Sequence, residues 1–557
     1  MPKIVVSKKE LEKLIGKSID VELLGETLMN YLKAEIEKIE GDELTIKLED
    51  TNRPDLWSAE GLARNLRNLL GKEKGFPSYE VKKSDFVVNV EEAKLKNIRP
   101  FIACAIIKSI KLDDEGIKSL MQIQDKLDTT YGRKRKRTSI GVYDLGKIKP
   151  PVVYTTAGPD DVKFIPLGFN VEMTPREILE THPKGIEYRH ILEGFDEYPI
   201  LIDSENNILS FPPIINSEHL GKVTSDTRDV LVEVTGTDEL AVNAVLNLVA
   251  TALVERGGKL ESVTIKYKQC KKEEVTPILE PTVFDIKPSF IKKLTGLNLD
   301  MRQIKHVLEK MGYEVYKTDE NHDSIEIEAP FYRTDIMHPV DVVEDIAIGY
   351  GCNNIEPVLP KTPTIGGLKE STIREDLIRE IMIGIGQQEL YSFTFTNKDV
   401  LFKNMNQNEE DVVEIANPVT MNYTVLRSSL LPVLMNFLAI NKTVEFPQNI
   451  FEVGDVITLN KKSENGTDQK KHLCSVISSS SVTFTEMKSV LESLMKNINR
   501  EVTIEPTKNP SFIDGRCGEI ILNKKSIGII GEIHPQVIEN FGLENPVAAF
   551  EICVDLI

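Results

Sequence analysis

The segments SFIKKLTG, DMRQIKHVLEKMG, YEVYK, SIEIEAP and HPVDVVEDIAIGYG, read in order between residues 289 and 351, constrain the fold more tightly than any other part of the chain. Apolar residues recur at helical spacing in the first two segments and alternate in the next two. Asp300 is placed to start the second helix and Gly312 to stop it. Two helices followed by a two-stranded wing predict a compact winged-helix-like unit over about 277–351.

The flanking regions read as α+β. In residues 1–85, Ser7 and Glu10 make a capping box for a short helix ended by Gly16. AEIEKIE and ELTIKLE, joined by Gly41-Asp42, read as a hairpin, and the turn NRPDLWS leads into a helix that ends near Gly71. Residues 90–268 form a larger α+β region with strands FIACAIIKSI (101–110) and VLVEVTG (230–236). LSFPPIINSEHLGKVTSDT, at 209–227, reads as a loop rich in hydrogen-bonding groups. KQCKKEEVTP reads as a charged connector, and EPVLPKTPTIGG (356–367) as a linker into a last α+β region, taken as 357–557. The expected fold class is therefore α+β multidomain, without a fixed-period repeat.

Other features exclude function classes. The apolar run AVNAVLNLVATALV (241–254) is too short to span a bilayer and carries Asn243 and Asn247, so it predicts a core helix and no membrane partner. The six cysteines are scattered without a CxxC pair, and no export signal opens the chain, which points to a reducing cytoplasm. A net charge of −19 argues against a surface wholly given to nucleic acid. GRKRKR (132–137) is the one dense basic run, and it reads equally as a phosphate contact or a solvated loop. Motifs for a P-loop, a zincin, a hydrolase elbow or a dinucleotide site are absent.

Asp335, Asp341, Glu344 and Asp345 form an acidic cluster. On a helix begun at His338-Pro339, the last three share one face. Acids in a first helical turn gain roughly 0.3–1 kcal/mol each from the unpaired N–H groups and the dipole. Like charges at that spacing cost only about 0.2–0.5 kcal/mol, too little to demand a cation. A solvated helix start and a metal site both remain open; oxygen ligands alone would suit Mg²⁺ with water in its shell.

NRPDLWSAEGLAR, LSFPPIINSEHLGKVT with VEVTGTD, RTDIMHPVDVVEDIAIGYG and GEIHPQVIENFGL, in that order along the chain, resemble the β subunit of phenylalanyl-tRNA synthetase in its archaeal/eukaryotic form. The resemblance implies an (αβ)₂ ligase acting on phenylalanine tRNA, in which the α subunit uses ATP to activate phenylalanine. The β chain would supply tRNA contacts, editing and structure. It also implies Mg²⁺ bound by a D-x5-D-x2-E-[DE] pattern, which Asp335, Asp341, Glu344 and Asp345 match position by position. Residues 90–268 would be the editing domain, with Leu201, Ser210, Asn216, Glu233 and Thr235 as pocket residues. Glu233 stands where relatives carry aspartate, and His182 is either a further pocket residue or a capping or core histidine. Alternation in VLVEVTG places Val230, Val232 and Val234 on one face for packing, and Leu231, Glu233 and Thr235 on the other.

The last region would be a class II synthetase-like antiparallel-sheet module without activity. Adenylation of that class needs arginine forks against ATP phosphates. NIFEVGDVI (449–457) and GIIGEIHPQVIENFGL (528–543) contain no arginine, and Arg427 reads as structural or interfacial. Two rivals are a stand-alone metal-dependent phosphodiesterase built on the acidic cluster, and a non-enzymatic tRNA-binding protein with GRKRKR as its footprint.

Overall fold

The computed structural model describes residues 2–359 and 364–557, so part of the expected linker, 360–363, lies outside the described residues. The chain divides into two compact units, Met1–Leu359 and Pro360–Ile557.

The first unit opens with a small sheet in the order Lys3–Ser7, Glu43–Leu48, Ala34–Glu40. Ser7 caps the helix Lys8–Ile15 by accepting from Glu10 N, and Gly16 ends it in the left-handed region at φ 71°. A further helix, Val21–Leu32, was not anticipated, although it buries Leu24, Leu28 and Leu32 at four-residue spacing. Pro54–Leu56 is a single tight turn, and Ser58 caps the helix Ala59–Leu69.

An 11-stranded sheet dominates this unit. Val230–Gly236 lies inside it, antiparallel to Phe101–Lys108 on one side and to Thr138–Asp144 on the other. Val230, Val232 and Val234 pack with Val242, Val245 and Val249 of the buried helix Glu239–Glu255, as the alternation predicts. Leu231 joins the opposite core with Tyr143, Tyr154 and Leu201. Val81–Lys82 and Glu273–Thr276 also pair into this sheet, so it reaches beyond 90–268 and draws a strand from the expected charged connector. The expected loop at 209–227 requires a similar correction: Ile208–Phe211 and Ile215–Asn216 form a tight hairpin at the sheet edge. Its hydroxyls and amides satisfied a turn pattern, while cross-strand pairing decided the backbone.

The winged-helix-like unit contains three strands instead of two, ordered Thr282–Ile286, Ser324–Ala329, Glu314–Asp319. The added edge strand buries only Ile286, so its alternation is faint in the sequence. Helices Pro288–Thr295, Met301–Lys310 and Pro339–Tyr350 complete the unit, with Asp300 and Gln303 forming a capping box.

The second unit is built on a seven-stranded sheet, antiparallel except for the pairing of Gln388–Glu389 with Gln448–Leu459. Helices Glu370–Gly384 and Phe484–Asn497 pack Ile378, Met382, Leu491 and Leu494 into one core cluster with Phe451 and Leu473 of the sheet. Leu431–Ile440 packs Leu434 and Met435 into a second cluster with Val476 and Ala549. Among the described residues no helix is long and apolar enough to cross a membrane.

Candidate functional site

A cavity of about 460 Å³ opens on the large sheet. Its floor comes from Thr138–Asp144 and Val230–Gly236, one wall from the helix Asp114–Thr129, and another from the hairpin at 208–216. Ser210, Asn216 and Glu233 line it together. Leu201 and Thr235 stand behind the lining: Leu201 is buried in register with Ser210, and Thr235 is buried in register with Ser139.

Register explains why these side chains meet. Glu233 faces Gly141 across the ladder. A Cβ at residue 141 would overlap the Tyr143 hydroxyl and Glu233 Oε2, so glycine is required by close approach. The Tyr143 hydroxyl is 2.7 Å from Glu233 Oε2 and 2.8 Å from Ser210 Oγ. Glu233 is almost wholly buried, and its Oε1 has no hydrogen-bond partner among the described residues. Burial raises its carboxyl to about 7, against the opposing effects of the Tyr143 hydrogen bond and the Arg99 charge.

Arg99 is a buried anchor behind the site. It donates through Nε to Thr235 Oγ1 at 2.9 Å and through Nη2 to Ser139 Oγ at 3.0 Å. Burial lowers its pKa. Asp128, a second buried carboxylate at the cavity, is raised to about 6 by burial despite its ion pair with Arg135 at 3.0 Å, and its Oδ1 is also unpartnered.

Sequence reasoning missed Tyr143, Ser139, Gly141, Arg99 and Asp128. TSIGVYD carried a usable signal, since period two puts Ser139, Gly141 and Tyr143 on one face. Arg99 and Asp128 reach the site only through the tertiary fold. His182 caps the helix Pro183–Tyr188, accepting from Lys184 N at 3.1 Å, and stacks near Phe169.

The acidic cluster also converges, though largely on other partners. Asp335, Asp341, Glu344 and Asp345 line a cavity of about 80 Å³ with Lys33, Asp50, Arg53 and Arg333. Arg333 holds Asp335 through two hydrogen bonds and pairs with Asp345 at 2.7 Å. Burial opposes ionisation of Asp345, but Arg333 and Arg53 outweigh it and keep the carboxyl below its ordinary range. Asp341 Oδ2 accepts from Met337 N and His338 N, capping the helix, and Glu344 pairs with Lys33 at 2.7 Å. In this arrangement no group of three His, Cys, Asp or Glu side chains among the described residues is poised for a metal. One oxygen each of Asp341, Glu344 and Asp345 nevertheless lacks a donor among the described residues. That donor set fits a hard ion with a water-rich shell, provided that Lys33 yields.

In the second unit a cavity of about 500 Å³ is lined by Glu519, Glu551, His472 and Lys508 among others, with no arginine in its lining. Arg427 is buried against Glu452 at 2.8 Å, so it serves the core.

The domain model for the phenylalanyl tRNA synthetase beta chain CLM domain matches residues 355–554, and that for the tRNA synthetase B5 domain matches 284–352. The chain is 48% identical over 556 residues to a phenylalanine–tRNA ligase beta subunit of Pyrococcus abyssi, and 47% identical to that of Pyrococcus furiosus, with 99% of both chains covered in each case. It is also similar to the crystal structure of an N-terminal fragment of the phenylalanyl-tRNA synthetase beta subunit from Pyrococcus horikoshii, with TM-score 0.60 and 46% identity over 63% of this chain and 99% of that one. Identity near one half, sustained along both full lengths and through both units, shows that the chain belongs to the phenylalanine–tRNA ligase beta subunit family.

Proposed function

We propose that the chain works in the cytoplasm in an (αβ)₂ ligase that attaches phenylalanine to its tRNA, and that the 460 Å³ cavity hydrolyses tyrosine mischarged onto that tRNA. The observation that carries the hydrolytic reading is Glu233: buried, raised to about 7, and with one carboxylate oxygen unpartnered at a cavity. A base titrating near neutrality can take a proton from water while still being ionised. In this reading Oε1 holds the attacking water, and the Tyr143 hydroxyl fixes the carboxylate through Oε2. Water adds to the ester carbonyl as its proton passes to Glu233, and the adduct then collapses with Glu233 returning that proton to the departing ribose oxygen.

Ser210 and Asn216 supply neutral hydrogen-bonding groups for the phenolic hydroxyl. That hydroxyl is what an activating pocket for phenylalanine rejects weakly, by about 100-fold where the pocket is apolar. Arg99 positions Thr235 and Ser139 behind the base. In the second unit, the arginine-free cavity supports an inactive catalytic-like module, leaving ATP and phenylalanine to the α subunit. Of the four acids Asp335, Asp341, Glu344 and Asp345, the last three would hold Mg²⁺ as a structural ion, with Asp335 held beside them by Arg333. Arg333 ties down Asp335 and Asp345, which disfavours a phosphodiesterase using the same acids.

The test is deacylation of preformed Tyr-tRNA by the assembled enzyme and by Ser210→Ala, Glu233→Ala and Thr235→Ala variants. Phenylalanine charging and ATP–pyrophosphate exchange serve as controls. Lost deacylation with retained charging is expected. Full deacylation by all three variants places the pocket elsewhere, and exchange by the chain without its partner refutes the inactive module.

A further inference from the structure

The basic run at 132–137 follows the cavity-lining helix Asp114–Thr129 and has an unusual backbone. Arg133, Lys134 and Arg135 all take positive φ, at 51°, 52° and 66°. Left-handed conformations in non-glycine residues cost roughly 1–2 kcal/mol each, so three in succession need strong restraint. Arg135 provides it. Its guanidinium lines the cavity, pairs with Asp128, donates to the carbonyls of Pro213 and Ile214, and lies 4.5 Å from the Tyr188 ring centroid. Arg137 is likewise committed, to Asp238 at 2.9 Å.

The residues between these anchors behave differently. Arg133, Lys134 and Lys136 are exposed, and their side chains make no ion pair or hydrogen bond among the described residues. A helix C-terminus favours a nearby cation by about 0.3–1 kcal/mol, which accounts for one such residue but not for three held in a strained turn. Lys184 and Lys222 also line the cavity. Asp128 and Glu233 thus share the cavity lining with Arg135, Lys184 and Lys222, the two lysines paired with Glu187 and Glu218, and the unpaired Arg133, Lys134 and Lys136 adjoin Arg135 along the chain, on a protein whose net charge is −19.

We propose that Arg133, Lys134 and Lys136 are the phosphate-binding rim of this cavity, receiving the sugar–phosphate backbone at the 3′ end of an aminoacylated RNA. The charge order matches that ligand. Phosphates lie on the RNA side of the ester, whereas the aminoacyl group carries a cationic amine that suits the unpartnered oxygen of Asp128 at the same cavity. Anchored Arg135 presents the three free cations together, so the turn is ordered before RNA arrives and less entropy is lost on binding. This inference rests on the deacylase reading given above.

The test uses the assembled α/β enzyme, with steady-state deacylation of Tyr-tRNA measured across a salt series. The triple variant Arg133→Gln, Lys134→Gln, Lys136→Gln retains the side-chain stems and removes the charge. A charge-preserving variant, Arg133→Lys, Lys134→Arg, Lys136→Arg, controls for the unusual backbone. The neutral variant should raise KM roughly tenfold with kcat unchanged. Its log(kcat/KM) should fall less steeply with log salt, by about two in slope. The charge-preserving variant should match wild type. A neutral variant with wild-type KM and salt slope, or one losing kcat alone, overturns the rim while leaving the deacylase reading in place. Wild-type enzyme that leaves Tyr-tRNA intact overturns both.

Discussion

The Tyr143 hydroxyl lies 2.7 Å from Glu233 Oε2 and 2.8 Å from Ser210 Oγ. With one proton to give, tyrosine donates to the carboxylate and accepts from the serine, so its orientation couples the proposed base to the proposed hydroxyl reader. This hydrogen bond favours the ionised carboxylate and lowers its pKa. Removing it in Tyr143→Phe should therefore raise the pKa of Glu233. A hydrogen bond to a charged group contributes about 1.5–3 kcal/mol, or roughly one to two pH units. The pH profile of Tyr-tRNA deacylation should move to higher pH by that amount, with charging retained. An unmoved midpoint would remove Glu233 from the chemistry or Tyr143 from its control.

Glu233 also predicts how stability depends on pH. Its carboxyl rises from the ordinary 4.5 to about 7 on folding, so between those values the folded chain binds more protons than the unfolded chain. Stability from this group is complete below about pH 4.5 and lost as pH rises through about 7. The difference is worth about 3 kcal/mol. Glu233→Gln should gain on wild type progressively from pH 5 to pH 8 in thermal melts. Parallel melting curves over this range would show that the buried carboxyl is relaxed by water or a cation.

A third expectation concerns the acidic cluster. If Asp341 and Glu344 contribute to a structural Mg²⁺ site, adding Mg²⁺ should raise the melting temperature, with about 2.7 kcal/mol of stabilisation at a hundredfold excess over Kd. Asp341→Asn with Glu344→Gln should abolish that response. Lys33 competes for Glu344 at 2.7 Å, so Lys33→Met should strengthen Mg²⁺ binding in calorimetry. A double variant with an unchanged Mg²⁺ response would leave the cluster as a helix cap and an arginine clamp.

Local pattern carried much of this protein. The alternation of VLVEVTG placed its valines against the buried helix and Glu233 at the cavity, because strand period and burial agree there. Asp300, Ser7 and Gly16 marked helix ends through side-chain caps and a left-handed turn, both local effects. The order of motifs along the chain was enough to indicate the family. What the sequence could not determine was partnership across distance. The spacing of four clustered acids gave no sign that Arg333 and Lys33 stand among them, and Lys33 comes from a distant helix–strand junction. Arg99 meets Thr235 across 136 positions, and Tyr143 meets Glu233 across 90. The basic run divided into anchors and free cations only when folding brought Asp128, Pro213 and Asp238 beside Arg135 and Arg137. Local periodicity specifies which face a side chain takes, whereas the packing of separate segments decides which charges meet and which buried oxygens remain without a donor.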